Sequence, residues 1–320
     1  MDLYQSGPSP VGLCAPGALP SVTLRNGVST TLARLPYWRE RIKLQLRAAF
    51  HRKNTRRWLE LLNSHPVFGE LVRDCPRLLQ KIYRPYLTLS LPMERRIALL
   101  ASHYEIVFGR GLGPLISQAA RGGVPLGSVE GKSGAPYELR LHALSQLERE
   151  GELILQLCDA AGPVYAAAFT FSDLGGENSV RIGCIQGPNC GKGLEAIRTA
   201  TRELHGLRPK QLLVALVRQL GHDFGCSQLW LVGNGNRVVR SALRQGKVHA
   251  DYDQLWQEMG ADRQPCGDFR LACGALREPD MEAIQSKKRS EARKRHGMLV
   301  DMAALLSQRL AGAGCAVSLA

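Results

Sequence analysis

Residues 186–193, Gln-Gly-Pro-Asn-Cys-Gly-Lys-Gly, place three glycines and a lysine directly before a predicted helix. Backbone amides at such a turn can bind phosphate. A nucleotide-binding P-loop has four residues between its first glycine and the Gly-Lys pair, which Ser or Thr follows. Here three residues separate Gly187 from Gly191, and Gly193 follows the lysine. The spacing therefore excludes a P-loop, and the dinucleotide pattern Gly-x-Gly-x-x-Gly does not occur.

The same stretch also fits a coenzyme A loop. In acetyltransferase-like folds an antiparallel meander runs into a strand, a loop and a helix, and amides of the loop hold the pyrophosphate. Pro188 stands where those proteins usually have Gln or Arg, so a flexible strand-to-helix turn is the alternative interpretation. The cofactor-binding candidates are Gln186, Gly187, Gly191, Gly193, Arg208 and Lys210.

Two pairs of residues are candidates for acid/base catalysis. His103 and Tyr104 can exchange protons with a substrate, although the apolar residues around them also fit a structural histidine in a core helix. Tyr252 and Asp253 combine a phenol with a carboxylate, which can line a cleft or anchor a loop by hydrogen bonds. The motifs Gly-x-Ser-x-Gly and His-Glu-x-x-His are absent.

The nine cysteines contain no Cys-x2-Cys pair. Zinc sites usually combine such pairs with nearby His-x3-5-His spacings. The cysteines are therefore predicted to be reduced, mostly buried thiols, and the sequence predicts no metal site.

The net charge of +14 is concentrated in two segments. Residues 39–58 hold eight Lys/Arg against one Glu, and residues 286–296 hold six against one Glu. Such patches indicate an acidic partner, either an anionic membrane surface or an acidic carrier protein. The residues predicted to bind an anionic surface are Arg52, Lys53, Arg56, Arg57, Lys287, Lys288, Arg289, Arg293, Lys294 and Arg295.

Two alternatives to this interpretation stay open. Both segments can be solvated helix faces that acidic residues balance in space. Nucleic acid is a third class of partner, but the first segment has only Phe50 and Trp58 as aromatic residues and the second has none. No RNA-binding, zinc-finger or helix-turn-helix pattern supports that class.

The order of elements predicts an α+β fold: a helical N-terminal region, then a mainly antiparallel sheet with flanking helices, in an arrangement compatible with an acetyltransferase-like fold. The predicted divisions are a poorly ordered leader at 1–35, a helical region at 36–125 and an α+β domain at 126–320. Residues 109–134 are predicted to be a Gly-rich connection. The other predicted elements are strands at 137–144, 151–159, 163–173, 179–187, 227–232 and 268–272, and helices at 193–205, 209–224, 236–245 and about 279–310.

Two features predict where the protein acts. No run of about 18 uncharged apolar residues is present, so no membrane span is expected. The N-terminal residues lack the basic region and continuous apolar core of a signal peptide. The expected location is the cytoplasm, with peripheral association with the inner membrane.

Six separated stretches together resemble the VirK/YbjX family of Gram-negative bacteria, over roughly residues 40–310. Gly191 and Gly193 lie outside the family pattern, and Gly233 stands where Ser is expected. The stretches are IYRPYL at 82–87, SHYE at 102–105, IQGPN at 185–189, HGLRPKQLL at 205–213, HADYDQLWQEMG at 249–260 and SKKRSEARKRH at 286–296.

The resemblance implies a role in virulence or in the bacterial envelope, with membrane-associated behaviour, and it implies no particular reaction. The leading hypothesis is therefore a peripherally membrane-associated protein that affects envelope or virulence functions. The rival hypothesis is an acyltransferase that takes its acyl group from acyl-CoA or an acyl carrier protein. A basic nucleic-acid-binding protein is the third.

Overall fold

A single sheet organises the molecule. The computed structural model describes residues 19, 21–145, 147–188, 191–239 and 251–315. Within these residues eight strands follow the order β1-β2-β3-β4-β5-β6-β8-β7. Their bounds are β1 Val124–Glu130, β2 Pro136–Ala143, β3 Leu153–Asp159, β4 Gly162–Ser172, β5 Ser179–Gln186, β6 Gln228–Leu231, β7 Asp262–Arg263 and β8 Phe269–Ala272.

Neighbouring strands are antiparallel except for β5 and β6, which are parallel. A parallel pair needs a crossover connection, and two helices supply it here. The described α-helices are α1 Arg34–Phe50, α2 Arg52–Leu62, α3 Val67–Asp74, α4 Met93–Gly109, α5 Gly113–Arg121, α6 Gly191–Glu203, α7 Pro209–Asp223, α8 Tyr252–Glu258 and α9 Ser286–Cys315.

The sequence pattern explains why these segments adopt their structures. In β2 the residues Tyr137, Leu139 and Leu141 alternate with more exposed neighbours, so one face of the strand points into the core. The helix α7 begins at Pro209, where the missing amide of proline costs no hydrogen bond. Most of β4 is buried on both faces, which fits its central position in the sheet.

One face of the sheet carries the main core. Helices α4 and α7 pack against β4, α5 packs against β2, and α9 packs against β1 and α7. The opposite face has a much smaller apolar cluster formed by Ile154, Ala168 and Cys184. The sheet is therefore covered unequally, and part of its second face borders a groove.

The predicted α+β class, with a helical N-terminal region and a mainly antiparallel sheet, is confirmed. The strand at 227–232 joins the sheet as β6, next to β5. The connection predicted at 109–134 is wrong, because it contains α5 and β1. The sheet tolerates Pro125 and Gly127 there because β1 is an edge strand with an irregular register between those two residues.

Three predicted boundaries concern the helix at 236–245, the leader and the division at residue 125. The helix predicted at 236–245 is described only up to residue 239, where Arg237 forms a bridge and a turn follows, and the rest lies outside the described residues. In the predicted leader, Val22 and Val28 are buried and the amide of Val22 donates to Asn63 Oδ1. The division at residue 125 stays a prediction, although one apolar core contains residues from both sides of it.

A buried carboxylate connects the N-terminal helices to the sheet. Glu152 accepts hydrogen bonds from Lys81 Nζ at 2.5 Å and from the Tyr104 hydroxyl at 2.6 Å, and all three side chains are buried. Burial alone would raise the pKa of Glu152, but the charge of Lys81 and the hydrogen bonds from Lys81 and Tyr104 hold it below its ordinary value. Glu152 is therefore ionised and paired in the interior.

His103 lies beside this network, and only one of its two ring nitrogens has a described hydrogen-bond partner. Its Nδ1 accepts a hydrogen bond from the Phe171 amide at 3.2 Å, while Nε2 has no described partner. Burial lowers the pKa of His103 to about 4. The ring is therefore neutral at physiological pH, with its proton on Nε2.

This burial predicts an acid-dependent loss of stability. Because the folded-state pKa lies below the unfolded value of about 6.5, protonation favours the unfolded chain as the pH falls from about 6.5 to about 4, by about 3 kcal/mol. Urea unfolding across this range should show a smaller pH dependence for His103→Gln than for the wild type. The control His222→Asn changes a surface histidine and should keep the wild-type profile. Equal profiles for His103→Gln and the wild type would contradict the assignment.

Candidate functional site

The first basic segment lies on a pair of consecutive helices. Helix α1 packs inward through Leu44 and Ala48, and α2 packs through Thr55, Trp58 and Leu62. A groove of about 670 Å³ runs between the two helices. The four predicted cations of α2 are all exposed: Arg52, Lys53, Arg56 and Arg57.

Little of this charge is neutralised within the protein. The one ion pair formed by these four side chains in the described part of the chain joins Arg56 Nε to Glu60 Oε1 at 2.9 Å, and both partners are exposed. An exposed pair of this kind contributes little to stability. The cations of α2 therefore remain available to an external anionic surface.

The second basic segment forms the first third of α9. Ala292, Met298 and Met302 pack inward, as expected for a helix that lies on the domain through its apolar side. The outer side is still basic. Lys287, Lys288, Arg293 and Lys294 are exposed, whereas Arg289 and Arg295 are half-buried.

The start of α9 lies beside two turns. Lys132 Nζ, in the turn between β1 and β2, lies 2.7 Å from Glu291 Oε1, and the Arg295 guanidinium lies near Gly206, in the turn after α6. Positive charge from Lys132 and Lys294 adds to burial in lowering the pKa of His205. The basic surface of α9 therefore continues toward the connection between α6 and α7.

The predicted phosphate-binding residues surround Tyr165. Gln186 and Gly187 line a groove of about 330 Å³ on the second face of the sheet. Arg208 and Lys210 line a neighbouring groove of about 830 Å³. Tyr165 lines both grooves, so the structure brings these four candidates together around one aromatic side chain.

The two glycines of the loop have different surroundings. Gly191 begins α6 and is exposed, with open space where a side chain would be. Gly193 is buried, and a Cβ atom there would come within 2.5 Å of Pro188. A close approach between chain segments therefore explains Gly193, while Gly191 lies at the rim.

The lining of the larger groove also includes Arg198 and Arg202, which sequence reasoning missed. Both lie on α6 and make ion pairs with Glu195 at 3.6 and 3.4 Å. Their spacing of four residues places them on one face of a helix, and that spacing was readable from the sequence. Two further cations thus stand beside Arg208 and Lys210.

The parallel pairing of β5 and β6 ends early. It covers Ser179–Ile182 and Gln228–Leu231, and its last hydrogen bond joins the Val232 amide to the Ile182 carbonyl at 3.1 Å. Strand β5 nevertheless continues to Gln186. The last residues of β5 therefore have an edge that β6 does not cover.

The phenol of Tyr252 covers this edge. Its hydroxyl accepts a hydrogen bond from the Ile185 amide at 2.7 Å and donates one to the Ile185 carbonyl at 2.6 Å. The ring packs edge-on against Trp256, and Arg237 lies 3.7 Å from its centroid. Burial raises the pKa of Tyr252 well above its ordinary value, so the hydroxyl stays protonated.

The remaining catalytic candidates lie in structural positions. His103 and Tyr104 are both buried and line neither groove, and Tyr104 donates a hydrogen bond to Glu152. Asp253 accepts a hydrogen bond from the Asn234 amide at 2.7 Å, as a loop anchor does. Within the described residues no cluster of His, Cys, Asp and Glu has the composition to hold a metal ion.

Comparison with known proteins identifies the family. The protein-family model described as "Protein of unknown function (DUF535)" matches residues 34–308, and the chain belongs to this family. The chain is 28% identical over 274 residues to "Uncharacterized protein YbjX" of Escherichia coli (strain K12), covering 82% of each. The resemblance to VirK/YbjX proteins is confirmed.

Two further relatives extend the comparison. An uncharacterized protein of Haemophilus influenzae is 34% identical over 146 residues, covering 45% of this chain and 48% of its own. "Membrane protein LapB" of Mannheimia haemolytica is 23% identical over 195 residues, covering 60% of this chain and 82% of its own. Among the helices of the described residues, none is long and apolar enough to cross a membrane.

One solved structure is also similar. It is a mutant form of a cAMP-binding acyltransferase from Mycobacterium smegmatis and is 9% identical, with a TM-score of 0.27. The match covers 67% of this chain and 63% of the other. A likeness this low carries no argument about activity.

The role of Tyr252 can be tested by removing one oxygen atom. Tyr252→Phe leaves the Ile185 amide and carbonyl buried without a partner, and each unpaired buried group costs about 1–3 kcal/mol. We expect the free energy of unfolding in urea to fall by about 2–4 kcal/mol. The control Tyr165→Phe removes a hydroxyl that makes no hydrogen bond to the described residues, and should change stability by less than about 0.5 kcal/mol. Equal losses for the two variants would contradict the bridging role.

Proposed function

We propose that this protein binds peripherally to an anionic membrane surface and acts from the cytoplasmic side on envelope or virulence functions. The observation that carries the proposal is the exposure of the cations on α2 and at the start of α9, on helices whose inner faces are already packed. These side chains have no structural task in the core. Their common property is positive charge directed at solvent.

The energetics suit reversible binding. A Lys or Arg near an anionic bilayer contributes about 1 kcal/mol of attraction. Four cations on α2 would thus supply about 4 kcal/mol, which alone corresponds to millimolar affinity. The Mannheimia relative is named a membrane protein, which agrees with this proposal.

Co-sedimentation with vesicles tests the proposal. Wild-type protein should bind vesicles with about 30% phosphatidylglycerol at low salt, and binding should weaken as NaCl is raised to about 0.5 M, because salt screens exposed charges. Vesicles of phosphatidylcholine alone should bind weakly. Changing Arg52, Lys53, Arg56 and Arg57 to Gln should lower the partition constant by at least tenfold.

A charge-preserving control separates electrostatics from structure. Changing Arg52, Arg56 and Arg57 to Lys keeps the charge and should keep binding close to the wild-type level. The proposal would be contradicted if the wild type did not bind anionic vesicles, or if it bound neutral and anionic vesicles equally.

A second candidate function, an acyltransferase, is favoured by one observation: β5 continues past the end of its pairing with β6 and leads to Gln186 and Gly187. Amides there and at Gly191 and Gly193 would hold phosphate, with Arg208 and Lys210 as cations, and the acyl donor would be acyl-CoA or an acyl carrier protein. The acid/base assignment to His103 or Tyr104 stays a prediction. Both are buried, so a substrate would reach them only through the core.

Thermal unfolding in the presence of ligand tests this second candidate. Acyl-CoA at 100 times its dissociation constant would stabilise the protein by about 2.7 kcal/mol and raise its Tm by a few degrees. Changing Arg208 and Lys210 to Gln should abolish the shift, whereas changing Arg263 to Gln, on β7, should not. The absence of a shift with every chain length and with acyl carrier protein would reject the acyltransferase.

A further inference from the structure

Helix α1 has two apolar sides. Leu44 and Ala48 face the protein and are buried. A row of five large apolar side chains occupies the opposite side, at spacings of three or four residues that place them within one stripe of a helix. We call this the α1 row, and its members are Leu35, Trp38, Ile42, Leu46 and Phe50.

Every member of the α1 row is exposed by more than half in the described structure. The exposed fractions are 84% for Leu35, 54% for Trp38, 53% for Ile42, 54% for Leu46 and 83% for Phe50. Exposed Leu32 lies just before α1, whereas Leu89, Leu194 and Val300 lie elsewhere in the chain. A contiguous exposed apolar patch marks an interaction surface.

Positive charge borders the row on both sides. Arg39 and Lys43 project along one border, and Arg34 lies toward the other. The acidic residue of α1, Glu40, lies 3.0 Å from Lys43 and 3.6 Å from Arg39. The hydrogen bond from Lys43 helps to hold the pKa of Glu40 below its ordinary value, so this carboxylate stays ionised.

The charged border continues onto α2. Ala49 lines the groove between the two helices together with Arg52 and Arg56. The C-terminal end of the row is thus adjacent to the cations that the proposed function assigns to the membrane surface. Apolar contact and positive charge lie together on this side of the molecule.

The charge decides which occupant fits the row. A second copy of this chain would bring two segments of net charge +7 together across an interface, which is repulsive. An anionic bilayer offers acyl chains for the row and phosphates for its border, and Trp38 suits the interface between them. The helix has 17 residues and is about 25 Å long, so with its borders charged it lies in the plane of the bilayer.

We infer that α1 inserts its apolar row into the interface of an anionic bilayer, with Arg34, Arg39 and Lys43 at the lipid phosphates. This inference rests on the proposed function and specifies the surface that performs it. The α2 cations attract the protein to the membrane, and the α1 row holds it there. Binding should therefore keep a salt-resistant part that charge alone does not give.

The test uses the full chain with Ile42 and Leu46 both changed to Ser. Because both side chains are exposed, the fold should be unaffected, which circular dichroism and Tm will verify. In the bound state both side chains would be buried in the bilayer, so their loss should lower the partition constant on phosphatidylglycerol vesicles by about 100-fold. The matched control, Leu194→Ser with Val300→Ser, removes two exposed apolar side chains elsewhere and should bind as the wild type does.

Fluorescence gives a second readout that does not depend on the double variant. Trp38 is the most exposed tryptophan, since Trp58 and Trp256 are fully buried and Trp230 is half-buried. Anionic vesicles should shift emission to the blue, brominated acyl chains should quench it, and Trp38→Phe should remove both effects.

The outcomes distinguish this inference from the proposed function. If the wild type binds no anionic vesicles, the proposed function fails and the inference with it. If the wild type and the Ile42/Leu46 variant bind anionic vesicles equally tightly and Trp38 is not quenched, the inference is overturned but the proposed function stands. A concentration-dependent dimer that the double variant abolishes, without insertion of Trp38, also overturns it and assigns the row to a second copy.

Discussion

The buried carboxylate of Glu152 is the constraint on which the arrangement of this protein depends. Its two hydrogen-bond donors come from the segment before α4 and from α4 itself, and Glu152 directly precedes β3. Breaking a buried ion pair of this kind costs about 3–5 kcal/mol. The N-terminal helices are thus attached to the sheet by charge as well as by apolar packing. Helix α2 packs against α4, and α1 packs against α2, so the position of α4 also helps to place these two helices.

The molecule separates its polar residues by role. In the interior, Glu152 accepts hydrogen bonds from Lys81 and Tyr104, and Tyr252 bonds to the backbone of Ile185. The exposed cations of α2 and of the start of α9 face solvent, on helices whose inner sides are already packed. The α1 row adds apolar area to the side of the molecule that carries the α2 cations. The two grooves that Tyr165 lines lie elsewhere on the molecule: one contains Gln186 and Gly187 from the end of β5, and the other contains the cations of α6 and of the start of α7.

The fold class and most strands were predictable because their apolar patterns are local. The strand β1 was not, because Pro125 and Gly127 are typical of a connection, and only pairing with β2 makes an edge strand of them. The contacts between Lys81 and Glu152 and between Tyr252 and Ile185 join residues far apart in sequence, so no local pattern contains them. The charged surfaces on α2 and α9 were readable from composition. The spacing of the apolar residues in α1 was also readable. The sequence did not show that the side with Leu44 and Ala48 would pack inward and leave the α1 row in solvent.

The central claim, that this protein meets an anionic membrane through α1, α2 and the start of α9, is tested most directly by hydrogen–deuterium exchange. Amide exchange of the full chain would be measured with and without vesicles containing phosphatidylglycerol. The account predicts slower exchange confined to residues 34–57 and 286–296, and none of this protection with phosphatidylcholine vesicles. Unchanged exchange in both segments, or protection only around residues 186–188 and 191–210, would contradict it.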